Sequence, residues 1–201
     1  MELKDISQIS TGWLLSRKKT VENKEAICYK LLTIKSIDEN LNVINSQLDN
    51  FYSNDHIDSQ FFTKEGDIIV RNMYPYEVAL IKKEDQGILI STNFIVIRNL
   101  EGLLPKYLAY LLSIDVIKDL LVFKSAGSVS KHINNKILGS LNVKVISLNE
   151  QQRIIDYVDN SYKVNNLYQE AIDLEKKRIE YYLTKSQDEK KEGIKYGKNY
   201  K

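Results

Sequence analysis

A chain of 201 residues with 43% hydrophobic content can close one core and carry an elongated appendage, but it is too short for two full-sized domains and a linker. With 29 Lys+Arg against 27 Asp+Glu it is neither a histone-like polycation nor an intrinsically disordered chain, so any nucleic-acid surface must be local. In chain order, the opening Met1-Glu2-Leu3-Lys4-Asp5 has mixed charge and no secretory pattern. No apolar run approaches the roughly 18 residues of a membrane span, and the expectation is a soluble, cytoplasmic protein without a membrane partner. Cys28 is the lone cysteine, expected to be inert packing, and with only His56 and His132 beside it no zinc ligand set is expected.

Residues 27 to 98 read as strand-rich. Ile27 to Lys35 and Ile68-Ile69-Val70-Arg71 are β-branched or aromatic runs bounded by Asn, Asp and Gly. Val78 to Ile81 and Gly87 to Ser91 flank the polar Lys82 to Gln86, which predicts a hairpin with a longer loop, and Phe94 to Arg98 supplies another strand. After Gly102 the period changes: Pro105 suits a helix start, and Tyr107, Leu108, Leu111 and Leu112 recur at helical spacing. Val116, Ile117, Leu120 and Leu121 predict a second helix ending near Ser125-Ala126-Gly127-Ser128, where Gly127 permits a left-handed turn. Leu141 to Ile146 is expected to return to strand.

From Asn149 to about Thr184 there is neither Gly nor Pro, which predicts one long helix of roughly 50 Å at 1.5 Å per residue. Ile154, Val158, Ser161, Asn165, Tyr168, Ile172, Glu175, Ile179 and Tyr182 follow the alternating spacing of a coiled-coil seam, widened by Val164, Leu167, Ala171 and Leu174. Such a stripe calls for a partner helix. The fold class is therefore α+β, a mixed α/β domain followed by a long C-terminal coiled-coil helix, with boundaries at 1–147, 148–184 and a disordered tail over 185–201.

Charge is uneven along the chain. Gly12 to Lys35 carries a local excess of four positive charges, Ile37 to Asp67 an excess of six negative ones, and Ile117 to Lys144 again four positive. Two basic segments that converge on one face are how a near-neutral protein attracts phosphate locally. Catalytic patterns are missing: no phosphate-binding glycine loop, no nucleophile elbow and no histidine in a matching motif. Asn72-Met73-Tyr74-Pro75-Tyr76 is only superficially like the Asn-Pro-Pro-Tyr loop of amino-methyltransferases. Glu175-Lys176-Lys177 has the Glu-x-Lys form of a nuclease motif but falls on the long helix, where a solvated face is the simpler reading.

The order of features is more telling than any single one. Leu3-Lys4-Asp5-Ile6 with Thr11-Gly12, Glu65 to Arg71, Pro105 to Ser113, Ala126-Gly127-Ser128 and Leu148-Asn149-Glu150-Gln151-Gln152-Arg153-Ile154 together resemble one repeat of a specificity (S) subunit of Type I restriction-modification systems, across residues 1 to about 184. The family pattern often has proline before the Glu-Gln element, where this chain has Ile146-Ser147-Leu148. The resemblance implies a target recognition domain and a spacer helix. Such units usually occur twice in one chain, with antiparallel helices setting the distance between two half-sites on double-stranded DNA. A single unit is then a half-subunit that pairs with an identical copy or a different half, through Ile154, Val158, Tyr168, Ile172, Ile179 and Tyr182.

The same resemblance implies a non-catalytic role with no cofactor of its own. S-adenosylmethionine, ATP and Mg would be bound only by the partner modification (methyltransferase) and restriction subunits. Candidate DNA contacts are Arg17, Lys18 and Lys19, then Arg71, Asn72 and Tyr74, then Lys124, Ser125, Ser128, Lys131, His132, Asn134 and Asn135. Arginine can read guanine and asparagine adenine bidentately, whereas Ser and His are less selective. Arg71 has Glu77 as a competing ion-pair partner, and Asn134-Asn135 could cap or turn the backbone. The alternative function is a coiled-coil adaptor whose head binds protein without DNA specificity.

Overall fold

A computed structural model describes residues 1–15, 26–54, 56–125 and 131–196, with side chains of the last helix described as far as residue 185. The elements are β1 (Gln8–Thr11), β2 (Ile27–Leu31), β3 (Asp49–Ser53), β4 (Ile68–Arg71), β5 (Val78–Leu80), β6 (Phe94–Arg98), α1 (Pro105–Ser113), α2 (Asp115–Lys124), α3 (Asn135–Gly139) and α4 (Leu148–Tyr196). The chain divides into two compact units, Met1–Ile155 and Asp156–Lys201.

The first unit is built on an antiparallel sheet of order β1-β6-β4-β5, with β2 and β3 forming a separate antiparallel pair. β4 and β6 are central, and their near-continuous apolar runs are what a strand covered on both faces requires. Successive residues alternate between the two faces. Ile68, Val70, Ile95 and Ile97 join Leu3, Ile6, Leu108, Leu112, Leu121, Leu138 and Ile155 in one buried cluster. Ile69, Phe94 and Val96 join Leu32, Ile37, Ile81, Ile88 and Ile90 in another. The register places Ile69 opposite both Val96 and Ala79, so one side of the sheet is sealed by small and branched side chains.

One ion pair braces this sheet at the end of its two central strands. Arg98 closes β6 by donating from Nε and Nη2 to the two carboxylate oxygens of Asp67 at 2.8 and 2.7 Å, and from Nη1 and Nη2 to the carbonyls of Gln60 and Phe62. Asp67 is buried, so its charge is sustained by this partner and by the backbone N–H of Lys64 at 2.8 Å.

α1 starts at Pro105 as expected, and Ile114 ends α1 and opens α2. Four local expectations are corrected. Gly87 to Ser91 is not the second arm of a hairpin: Leu89 accepts from Leu32 N and donates to Lys30 O, while Ile88 O and Ile90 N bond to Thr63 and Phe61, so this apolar segment is shared between two neighbours. Leu141 to Ile146 is extended with Leu141 and Val143 buried, but its backbone pairing with another extended segment is limited to bonds with Met1 and Leu3 and a single bridge, Glu2 to Asn142, so no strand forms. Cys28 is exposed on β2 rather than packed. The helix runs on to Tyr196 through the segment expected to be disordered, because Lys, Glu, Gln and Asp are compatible with helix and nothing before Gly193 interrupts it. Gly127, expected to turn the chain beyond α2, lies outside the described residues.

The first two turns of α4 belong to the sheet unit. Gln151 is fully buried, its Nε2 donating to the carbonyls of Gly102 at 2.8 Å and Ile146 at 2.9 Å and its Oε1 accepting from Leu104 N at 2.8 Å. Ile155 follows one turn later in the core, so the compact unit closes at Ile155 rather than at 147. The second unit is the remainder of the helix, and its large apolar side chains, among them Val164, Leu167, Tyr168, Ile172, Leu174 and Ile179, are exposed.

Candidate nucleic-acid interface

β4 leaves the sheet at Arg71 and returns through β5 by way of the turn Asn72–Glu77. The neck of this turn is closed by Arg71, whose Nη1 donates to both oxygens of Glu77 at 3.0 Å and whose backbone N–H donates to Glu77 O. Arg71 thus takes the ion-pair position. Asn72 is buried and ties three segments: Nδ2 donates to Thr92 O at 2.7 Å, its N–H donates to Asn93 O, and its carbonyl accepts from Ile133 N at 2.8 Å. Its amide nitrogen is engaged with the protein backbone.

Those bonds carry the turn onto the segment 131–135, far along the chain. Met73 bridges His132, and the Tyr76 hydroxyl donates to Lys131 O at 2.7 Å. The same hydroxyl lies 3.4 Å from Ser125 Oγ, which is buried and donates to Val122 O, so Ser125 acts within the fold. Tyr76 and Lys131 both hold left-handed backbone conformations, with φ of 56° and 47°. Non-glycine residues in that region carry strain of order 1–3 kcal/mol, and such strain gathers at functional sites. Lys131 Nζ sits 4.9 Å from the centre of the exposed Tyr74 ring, a cation held over an aromatic face.

Of the remaining sequence candidates, Asn134 caps α3 by accepting from Ile137 N at 2.9 Å, and Asn135 Oδ1 accepts from Thr11 Oγ1 at 3.0 Å. Lys124 stands apart, with Nζ 3.2 Å from Ser140 Oγ. His132 is exposed. Arg17, Lys18, Lys19 and Ser128 lie outside the described residues.

A third wall comes from residues that sequence reasoning did not select. Thr92 and Asn93 form the turn into β6, with Phe94 N donating to Ser91 O. Thr92 N donates to Trp13 O, and Gly12 lies so close that a Cβ there would stand 2.2 Å from Ser91 O, which is why only glycine fits. The three polar residues Ser91, Thr92 and Asn93 between the apolar runs 88–90 and 94–97 were the available signal for this turn. Between the three walls lies an open cleft of about 460 Å³, lined by Thr11, Asn72, Met73, Thr92, Asn93, Ile95, His132, Ile133 and Asn134. Among the described residues its lining holds no carboxylate, lysine or arginine.

The cleft can bind by hydrogen bonding and shape. No group of three or more His, Cys, Asp or Glu suited to a metal ion occurs among the described residues. No helix among them is long and apolar enough to cross a membrane. On α4, Glu175 of the Glu-x-Lys element pairs with Arg178 at 2.8 Å and Asp173 with Lys176 at 3.5 Å, ordinary pairs along a helix surface. The seam residues Ile154, Tyr168, Ile172, Ile179 and Tyr182 are exposed, and Val158 is half-buried.

The model of the family described as Type I restriction modification DNA specificity domain matches residues 1–181. Among solved structures, the fold is similar to a chain from a study of complex assembly and conformational transition of the type I R-M system, at 20% identity and a TM-score of 0.64, covering 85% of this chain and 44% of that one. It is also similar to the HsdS subunit from Thermoanaerobacter tengcongensis, at 20% identity and a TM-score of 0.62, covering 83% and 43%. The chain thus spans less than half the length of either. No curated protein matches it.

Proposed function

The chain belongs to the Type I restriction modification DNA specificity domain family, and from that premise we propose that it is a DNA-recognition subunit that does no chemistry itself. It would hold double-stranded DNA against the rim formed by the turn Asn72–Glu77 and residues 131–135. The observation that carries this reading is the convergence of two segments, distant in sequence, into one strained, polar rim with Lys131 and Tyr74 at its edge. Lysine would fix the phosphate backbone, and uncharged polar side chains would meet base edges, the division of labour that sequence-specific binding needs. S-adenosylmethionine, ATP and Mg would be bound by modification and restriction subunits that this subunit positions.

The long helix supplies the second half of the proposal. Its exposed stripe supports pairing with a second half-subunit, either an identical copy or a different one, and two recognition domains so joined would meet a bipartite target. The test of recognition is duplex binding by the full chain, alone and with modification subunits. Selective binding whose affinity falls steeply with salt is expected; binding indifferent to sequence would overturn the reading. The test of pairing is the solution mass of the chain and of Ile172→Asp. The expected result is a dimer that becomes monomeric in the variant, while a monomer in both would end the symmetric model.

A further inference from the structure

The cleft has a chemistry narrower than DNA binding in general. Of its hydrogen-bonding side chains, Asn93 and His132 are exposed and bond to none of the described residues; the half-buried Thr92 hydroxyl is likewise unbonded, and Asn134 spends its Oδ1 on the cap of α3. Beside them Met73 offers a half-exposed apolar surface. The backbone of Asn93 is fixed by Asn72, whose N–H donates to its carbonyl at 2.9 Å and whose amide holds Thr92 O, so the Asn93 side chain projects from an anchored turn.

Base edges in the major groove differ in what they ask of a protein. Guanine is read bidentately by Arg or Lys, cytosine donates to Asp or Glu, adenine pairs two-for-two with an Asn or Gln amide, and the thymine methyl takes an apolar contact. Among the described residues the lining holds no arginine, lysine or carboxylate, so the groups for guanine and cytosine are missing from this part of it. It does hold an amide and an apolar side chain. We propose, resting on the DNA-recognition reading above, that this cleft reads one A·T base pair per half-site, with the Asn93 amide bidentate on the adenine and Met73 against the thymine methyl. His132 lies beside them as a donor to a purine N7, which adenine and guanine share, so it strengthens the contact without choosing between them. Asn72 is a positioning residue that acts through Asn93.

Selection from a randomised duplex pool tests this, using the full chain with modification subunits and its Asn93→Ala and Asn93→Asp variants. Asn93 is exposed and its side chain bonds to nothing in the fold, so both variants are expected to melt with the wild type. At one A·T position of each half-site Asn93→Ala is expected to lose about tenfold or more in discrimination, with the other positions unchanged. Asn93→Asp, which can only accept, is expected to shift that one position toward cytosine. A wild-type consensus that both variants leave intact, or one whose change falls at a G·C position, overturns the inference while sparing the recognition reading. A wild-type chain that enriches no sequence overturns the recognition reading and the inference with it.

Discussion

The unit Met1–Ile155 and the helix from Asp156 onward use apolar side chains in opposite ways. In the first, β4 and β6 send alternate residues into two buried clusters, and each cluster is completed by segments of the same unit. In the second, Leu167, Ile172, Leu174 and Ile179 remain exposed along a single helix. The first unit closes its own core, whereas a lone helix has no second face to cover its stripe. Substitutions in the sheet should therefore show in unfolding, and substitutions in the stripe should show in association.

The largest break in that comparison is expected from Phe94→Ala. Phe94 is fully buried between Ile69, Val96 and Ile90, and emptying its place should lower the stability of the first unit by about 3–5 kcal/mol, read from the urea midpoint. Ile172→Asp is expected to leave that transition within about 0.5 kcal/mol while abolishing association. Next in size is Asp67→Ala. It leaves the Arg98 guanidinium in a mostly covered site without its carboxylate, though still bonded to Gln60 O and Phe62 O, and a loss of about 3 kcal/mol is expected in the same measurement.

How much of this was legible in the sequence follows from where each signal comes from. β4, β6, α1 and α2 are near-continuous or helically spaced apolar runs, and their burial on the sheet's two faces is what the pattern expresses. β1 and β3 were missed because Gln8-Ile9-Ser10-Thr11 and Asp49-Asn50-Phe51 are polar edge segments held by backbone pairing, which leaves little trace in side chains. Gly87 to Ser91 misled because its burial is real while its bonding is divided between two neighbours. The candidate site was legible only in part for a related reason. Lys131, His132 and Tyr74 announce themselves by type, but which asparagine is free and which is tied depends on bonds between distant segments. Asn72 is buried and bonded to Thr92, while Asn93 is exposed, and nothing in the local sequence distinguishes them.

Gln151 sharpens the boundary between the two units. The helix is apolar-striped beyond it, yet this one buried amide satisfies two carbonyls and one N–H at the start of α4. Gln151→Leu fits the space but orphans those three groups, and a loss of roughly 2 kcal/mol is expected. Gln151→Glu should cost more than Leu, because its carboxylate would face the Gly102 and Ile146 carbonyls with no hydrogen to donate. Equal urea midpoints for wild type and both variants would mean that the helix start is held by Ile155 alone.

The smallest effect on folding, and the most informative about the rim, is expected at Lys131. The residue pays for its position with a left-handed backbone at φ 47°, and a side chain there carries strain of roughly 1–2 kcal/mol that glycine does not. Lys131→Gly relieves the strain but adds freedom to the unfolded chain, so stability should stay level or rise by up to about 1 kcal/mol. The same change removes the ammonium from the Tyr74 ring and from any phosphate it meets. Duplex affinity should therefore fall for all sequences alike, and the slope of log affinity against log salt should become less negative by about one. Lys131→Gln separates the two effects: it keeps a side chain in the strained conformation and removes only the charge, so it should reproduce the change in slope without the gain in stability. A glycine variant that loses stability would show that the lysine side chain braces the fold, and a salt slope unchanged in both would remove Lys131 from the DNA-contacting surface.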